Sequence, residues 1–168
     1  CYNISPVRYW LHTNMLTVNG VRMSKSAGNG FLPEELFSGD HPMLEKAYSP
    51  MNVRFFMLQT HYRSTLDFSN EALQAAEKGL KRLWDAYEKL GVMSRESGVG
   101  GQQPEDKELD EKVRSLVAEF DEHMNDDFNT AKVLASMFEL VPIINSIKDK
   151  TIPVSALSAE TLALLQTK

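Results

Sequence analysis

The sequence predicts a mainly α protein: a helical bundle preceded by a short β segment and a lysine-bearing loop. Three observations predict it. From Ser69 to Leu90, the residues Leu73, Ala76, Leu80, Leu83, Trp84, Tyr87 and Leu90 all fall within one third of a helical circumference, at about 100° per residue. Further amphipathic segments follow, and successive amphipathic helices must bury their stripes against one another. Near the start, by contrast, Val7, Tyr9, Trp10, Leu11, Met15, Leu16, Thr17 and Val18 give the β-branched and aromatic density of extended chain.

Residues 1–20 therefore read as strand and turn, with Asn19-Gly20 making the turn, and residues 21–30 as a loop. Residues 31–37 fit a short helix with Pro33 near its first turn and Glu34 and Glu35 close behind. Ser38 to Pro42 is a breaker cluster, and Pro50 to Tyr62 fits a second helix with Val53, Phe56, Met57 and Thr60 along one side. The long helix takes Ser69 as N-cap and Gly91 as its stop. Lys78, Arg82 and Lys89 lie opposite its apolar stripe. They form either a basic ridge for a phosphate backbone or a solvated face laced by Glu77–Lys81 and Asp85–Lys89 pairs. Glu71 and Asp85 interrupt the ridge and favour the solvated face.

Ser94 to Gln103, rich in Gly, Ser and Gln, reads as a flexible loop. Pro104 then opens a helix striped by Leu109, Val113, Leu116, Val117, Phe120 and Met124. Asn125 to Phe128 breaks it. Asn129 caps the next helix, which uses Leu134, Met137, Phe138 and Val141, and Pro142 should kink or restart that helix. Ser158 to Gln166 gives a final helical piece.

A chain of 168 residues, 42% hydrophobic and 24% charged, forms one or two small domains of ordinary composition. No apolar run approaches ~18 residues, and no basic region precedes an apolar stretch, so neither a membrane span nor a signal peptide is expected. One cysteine allows no internal disulfide and fits a reducing cytoplasm. The net charge of −5 divides unevenly: +2 over residues 1–63 and −7 over residues 64–168. An acidic half is poor ground for nonspecific nucleic-acid binding, so any RNA contact must use local basic surface.

The stretch Arg22-Met23-Ser24-Lys25-Ser26-Ala27-Gly28-Asn29 carries the chemistry. Phosphoryl-type transfer depends mostly on positioning and charge stabilisation. Lys25 supplies a compact cation, Ser24 and Ser26 supply hydroxyl donors, and Gly28 and Asn29 tolerate the backbone angles of a closing loop. Trp10 and His12, on alternate residues, share a face and either line a nucleotide pocket or pack beneath the loop. His61, Tyr62 and Arg63 suit either contact with RNA sugar and phosphate or a hinge. Asp126 and Asp127 lack the glycine and distant glutamate of a calcium loop, and read better as helix termination before the Asn129 cap. None of His12, His41, His61 and His123 shares a metal-ligand spacing with another.

Tyr9-Trp10-Leu11-His12, Arg22 to Asn29, Asn52-Val53-Arg54-Phe55-Phe56, His61-Tyr62-Arg63-Ser64 and Met124 to Thr130 together resemble the cysteinyl-tRNA synthetase family of class I synthetases, over most of residues 7–145. The resemblance implies a helical bundle of the class I anticodon-binding type. It places the end of a catalytic domain with its KMSKS loop at 1–30, a connecting, stem-contact-like region at 31–65 and a tRNA-binding bundle at 66–168. It assigns Lys25 to catalysis and to ATP, with Ser24, Ser26, Arg22 and Met23 shaping the ATP loop. Arg22 stands where the family usually has lysine, replacing a point charge with a planar fork. The implied cofactors are ATP with Mg2+ and a zinc ion that grips the substrate thiolate. The zinc ligands, like the HIGH signature, are expected upstream of residue 1, and Cys1 matches no ligand position. The implied partners are tRNA(Cys), cysteine and ATP, for a cytoplasmic, monomeric enzyme without a membrane. The 168 residues alone are expected to be inactive. Alternatives are a methionyl-tRNA synthetase, a cysteine ligase that does not charge tRNA, and a stand-alone helical tRNA-binding module.

Overall fold

The structure, a computed structural model, describes residues 7–96 and 104–167. Its elements are β1 (Leu16–Val18), β2 (Val21–Arg22), α1 (Pro33–Ser38), α2 (Pro50–Leu58), β3 (Leu66–Phe68), α3 (Asn70–Glu96), α4 (Lys107–Asn125), α5 (Thr130–Lys148), a 3-10 turn (Val154–Ala156) and α6 (Ala159–Thr167). The molecule is mainly helical, with one small sheet, as the sequence predicts.

The sheet is built on a tight hairpin. Asn19 and Gly20 take φ of 49° and 76°, and two successive left-handed residues are what a two-residue hairpin turn demands. β1 pairs antiparallel with β2, placing Thr17 opposite Arg22, and parallel with β3, placing Leu16 beside Leu66 and Val18 beside Phe68. Asp67 pins the turn: its Oδ1 accepts from Thr17 Oγ1 at 2.5 Å and from the Gly20 amide at 2.8 Å. The paired strand is shorter than the extended segment expected from Val7. Residues 7–13 belong to none of the three strands, and Tyr9, Trp10 and Leu11 stand exposed. Residues 1–6 of that prediction, Cys1 included, lie outside the described residues.

In α1, Pro33 opens the helix and the Glu35 carboxylate accepts from the Leu32 amide at 2.7 Å. Gly39 ends it at φ 77°, where a Cβ would stand 2.6 Å from the Ala47 nitrogen. α2 stops at Leu58, four residues before the expected Tyr62, and it buries Val53, Phe55 and Phe56 while Met57 is exposed. Residues 61–64 instead form a turn closed by the Ser64 amide on the His61 carbonyl at 2.8 Å.

Ser69 caps α3 as predicted, accepting from the Ala72 amide at 3.1 Å. Gly91 does not stop the helix, which continues to Glu96; a lone interior glycine costs about 1 kcal/mol, too little to end a well-packed helix. Residues 94–96, expected to open a flexible loop, are still helical, and the rest of that prediction, 97–103, lies outside the described residues. The buried stripe is also rotated. Leu73, Ala76, Ala86 and Leu90 are buried, whereas Trp84 and Tyr87 are 49% and 61% exposed and pack edge-on against each other with ring centroids 5.8 Å apart. The expected Glu77–Lys81 and Asp85–Lys89 pairs give way to longer-range ones. Glu77 meets Lys46 and Asn52, and Lys89 donates to Asn145 at 2.6 Å. Arg82 sits 5.7 Å from the Phe138 ring, so no continuous basic ridge remains.

α3 joins two cores. Its first half packs Leu73 and Ala76 with Val18, Phe68, Val53, Phe55 and Phe56; its second packs Ala86 and Leu90 with Val113, Val117, Leu140 and Ile144. At Gly79, between the two, a Cβ would lie 3.3 Å from Phe138 and 3.4 Å from Phe55, so the glycine leaves room for both rings.

α4 starts at Lys107, later than Pro104, capped by Asp106, whose Oδ1 accepts from the Leu109 amide at 3.0 Å. Pro142 neither restarts nor ends α5, which runs unbroken because Leu140, Val141, Ile143, Ile144 and Ile147 are all buried around it. α5 is long and apolar enough to cross a membrane by length and composition alone, but these side chains pack into the second core, alongside residues of α3 and α4.

α6 is docked by a polar knot. Asp110, 5% exposed, accepts from the Ser158 amide at 2.8 Å and from Arg114 Nε at 3.0 Å. Arg114 also donates to Thr161, Ser158 and Glu160. Burial pushes the Asp110 carboxyl up, but the hydrogen bonds from Ser158, Thr161 and Arg114 outweigh it and hold the group below its usual range. Its stabilisation is thus present above the ordinary carboxylate pKa of about 4 and lost as pH falls below it. Asp110→Ala should cost about 2 kcal/mol in urea unfolding at pH 7, a figure kept low because Arg114 is half exposed. Asp110→Asn should flatten the loss of stability as pH falls below about 4. An acid-unfolding profile identical to wild type would contradict this account.

Candidate functional site

The lysine loop leaves the sheet at β2 and returns to α1 within a few residues. Its shape depends on Asn29, which is 7% exposed. The Asn29 Oδ1 accepts from the Ser24 amide at 2.9 Å, and its Nδ2 donates to the Arg22 carbonyl at 3.1 Å. One amide thus bridges the two ends of the segment that displays Lys25. The sequence reading gave Asn29 only conformational tolerance; its φ is ordinary, and it is Gly28 that takes the left-handed value of 65°. Within the loop, Ser24 Oγ accepts from the Ala27 amide at 3.2 Å and lies 3.3 Å from Ser26 Oγ, while the Gly28 amide closes a turn on the Lys25 carbonyl at 3.2 Å. Met23 packs against the first core and anchors the loop from below.

Lys25 is exposed, and its ammonium has no hydrogen-bond or ion-pair partner among the described residues. Arg22 is likewise exposed, with its backbone carbonyl held by Asn29. A free ammonium on a loop rich in hydroxyls and backbone amides can receive a polyphosphate, whose oxygens accept from each of these donors. Trp10 and His12 share a face, with rings 5.9 Å apart and 10° from parallel, although they lie outside the strand that was to alternate them. Trp10 is 69% exposed, which is incompatible with packing beneath the loop.

His61, Tyr62 and Arg63 are gathered elsewhere, on Asp127. Tyr62 OH donates to Asp127 Oδ1 at 2.6 Å, and Arg63 Nε lies 2.8 Å from Oδ2. His61 Nδ1 accepts from the Arg63 amide at 3.3 Å, which leaves Nε2 carrying the proton that meets the Asp127 carbonyl at 3.1 Å. The hydrogen bond from Tyr62 holds the Asp127 carboxyl below its usual range, assisted by the Arg63 charge. Sequence reading placed Asp127 at a helix break, correctly, but missed that it collects three residues more than sixty positions away. No local spacing signals such a pairing. The Asn129 cap is present, its Oδ1 accepting from the Lys132 amide at 3.2 Å.

Comparison with known proteins agrees with this layout. Residues 1–78 match the family described as tRNA synthetases class I (C) catalytic domain, and residues 119–167 match the DALR domain. The chain is 43% identical to a cysteine–tRNA ligase of Cytophaga hutchinsonii over 96% of its length, and 48% identical to one of Parabacteroides distasonis over 95%. A cysteine–tRNA ligase of Thermococcus onnurineus is 43% identical over 83%. This chain belongs to the cysteine–tRNA ligase family. It spans 32% of the length of the Cytophaga relative and 30% of the Parabacteroides one. The family implies a zinc ion, yet among the described residues no three His, Cys, Asp or Glu side chains group as a metal site, so these residues do not furnish one.

Asn29→Ala removes both bridges while leaving the backbone free to keep its turn. The Ser24 amide should then exchange with solvent about tenfold faster or more, the loss of roughly one net hydrogen bond. Unchanged protection at Ser24 would show that the loop is held by something else.

Proposed function

We propose that this chain forms the part of a cysteine–tRNA ligase that closes over ATP and contacts tRNA(Cys). In the parent reaction the cysteine carboxylate attacks the α-phosphorus of ATP, presented as its magnesium complex. The bond to the β,γ-phosphates breaks, giving cysteinyl-adenylate and pyrophosphate. A terminal ribose hydroxyl of the tRNA then takes the cysteinyl group and releases AMP. Lys25 meets the pyrophosphate as its charge grows, Ser24 and Ser26 donate to its oxygens, and Arg22 and Met23 hold the loop's base. The observation that carries this reading is the uncommitted Lys25 ammonium on a loop whose two ends share one buried amide. Stabilisation aimed at developing charge acts on the rate of the chemical step more than on ground-state affinity.

On this reading residues 1–30 finish the catalytic domain, residues 31–65 connect, and residues 66–168 form the RNA-contacting bundle. A cytoplasmic, monomeric enzyme fits the same proposal. The net charge of −7 beyond residue 63 weighs against a stand-alone RNA-binding module.

In the full-length enzyme, Lys25→Ala should lower cysteine-dependent ATP–pyrophosphate exchange by about a hundredfold or more in kcat, with a far smaller change in the KM for cysteine. An unchanged kcat removes Lys25 from the mechanism. The 168-residue chain by itself should show no exchange.

A further inference from the structure

The Asp127 cluster does more than close a turn. Asp127 and Phe128 take φ of 58° and 54°, two successive left-handed residues without a glycine, a conformation that surrounding contacts must enforce. The enforcing contacts come from Tyr62, Arg63 and His61, which all precede the bundle. The backbone of those same residues is bound on the other side. The Asn14 amide donates to the Tyr62 carbonyl at 3.1 Å, and Asn14 Nδ2 donates to the Arg63 carbonyl at 2.9 Å. Asn14 also turns its Oδ1 to the Met15 amide at 2.7 Å, one residue before β1. From β1 the path is short: β2 pairs with it, the Met23 amide bonds the Leu16 carbonyl at 2.9 Å, and Lys25 follows two residues later. A second tie runs parallel, from Thr130 Oγ1 at the start of α5 to the Leu58 carbonyl at the end of α2, at 2.8 Å.

We propose that Asp127 is a positioning residue: through Tyr62, Arg63 and Asn14 it fixes the α4–α5 turn of the bundle to the strand that carries the Lys25 loop, so that an RNA held by the bundle reaches the reacting centre in one register. This rests on the ligase reading above. Adenylation needs only the loop and the small substrates, whereas transfer needs the RNA end placed against the adenylate, and a small misplacement of that end is costly. The link is therefore spent on the second half-reaction. Exposed Arg63 and half-buried Tyr62 act on the RNA through Asp127.

The test uses the full-length enzyme and measures two rates: cysteine-dependent ATP–pyrophosphate exchange without tRNA, and aminoacylation of tRNA(Cys). Asp127→Ala and Arg63→Ala should each lower kcat/KM for aminoacylation by about tenfold or more while exchange stays within about twofold. The double variant should be no worse than the poorer single, because both changes cut the same link. Asp127→Asn, which still accepts from Tyr62, should fall between wild type and Asp127→Ala. Retained aminoacylation in every variant overturns the proposal. So do equal losses of both rates in Asp127→Asn and Asp127→Ala, which mark a purely structural role, and so do multiplicative losses in the double variant. A wild-type enzyme with neither activity sinks the ligase reading itself, and the coupling with it.

Discussion

The structure depends on one helix being shared by two cores. α3 buries Leu73 and Ala76 beside the sheet and α2, then Ala86 and Leu90 among α4, α5 and α6. Neither core is large, and in small cores burial only narrowly exceeds the entropy of ordering the chain. A helix lodged in both makes each one's burial contingent on the other. Gly79 sits where the two meet. It gives up about 1 kcal/mol of helix propensity so that Phe55 and Phe138 can approach the backbone and each other, their rings 6.4 Å apart and near perpendicular.

Around that rod the polar contacts divide the labour. Asp67, Asn29 and Asn14 each use one short side chain to hold backbone amides or carbonyls near the sheet. Asp110 and Asp127 do the same for the bundle, each accepting from groups far away in sequence. Asp and Asn recur because their short side chains fix backbone groups at little cost in side-chain freedom. The electrostatics follow from this placement. Both aspartates are held in their charged form by donors, and Lys25, in the part of the molecule where chemistry is expected, meets no acid among the described residues.

What was legible in the sequence was whatever repeats at a fixed period or sits next to its partner. The long helix, the Asn19-Gly20 turn, the Ser69 and Asn129 caps and the Pro33 start are all local decisions, and each is found where the pattern puts it. The errors occur where tertiary packing overrides local preference. Gly91 reads as a stop and Pro142 as a kink or restart, yet α3 runs on past Gly91 at a cost of only about 1 kcal/mol, and the buried residues flanking Pro142 carry α5 through it. Trp84 and Tyr87 fit the stripe by angle but lie at its edge, since the bundle closes over Ala86 instead. At the candidate site the motif was visible and its supports were not. Lys25, Ser24 and Ser26 announce themselves by type and order, while Asn29 reveals its bridge only in three dimensions, and Asp127 is bound by residues 64 to 66 positions earlier.

The solitary state of the Lys25 ammonium has an energetic corollary. A cation already engaged by an internal carboxylate must give up that attachment before it can serve an incoming anion, and the lost attraction is subtracted from whatever the anion provides. Among the described residues nothing has to be surrendered except water and some freedom of a flexible stem. The loop's responsiveness to phosphate is therefore set by hydration and by ionic strength.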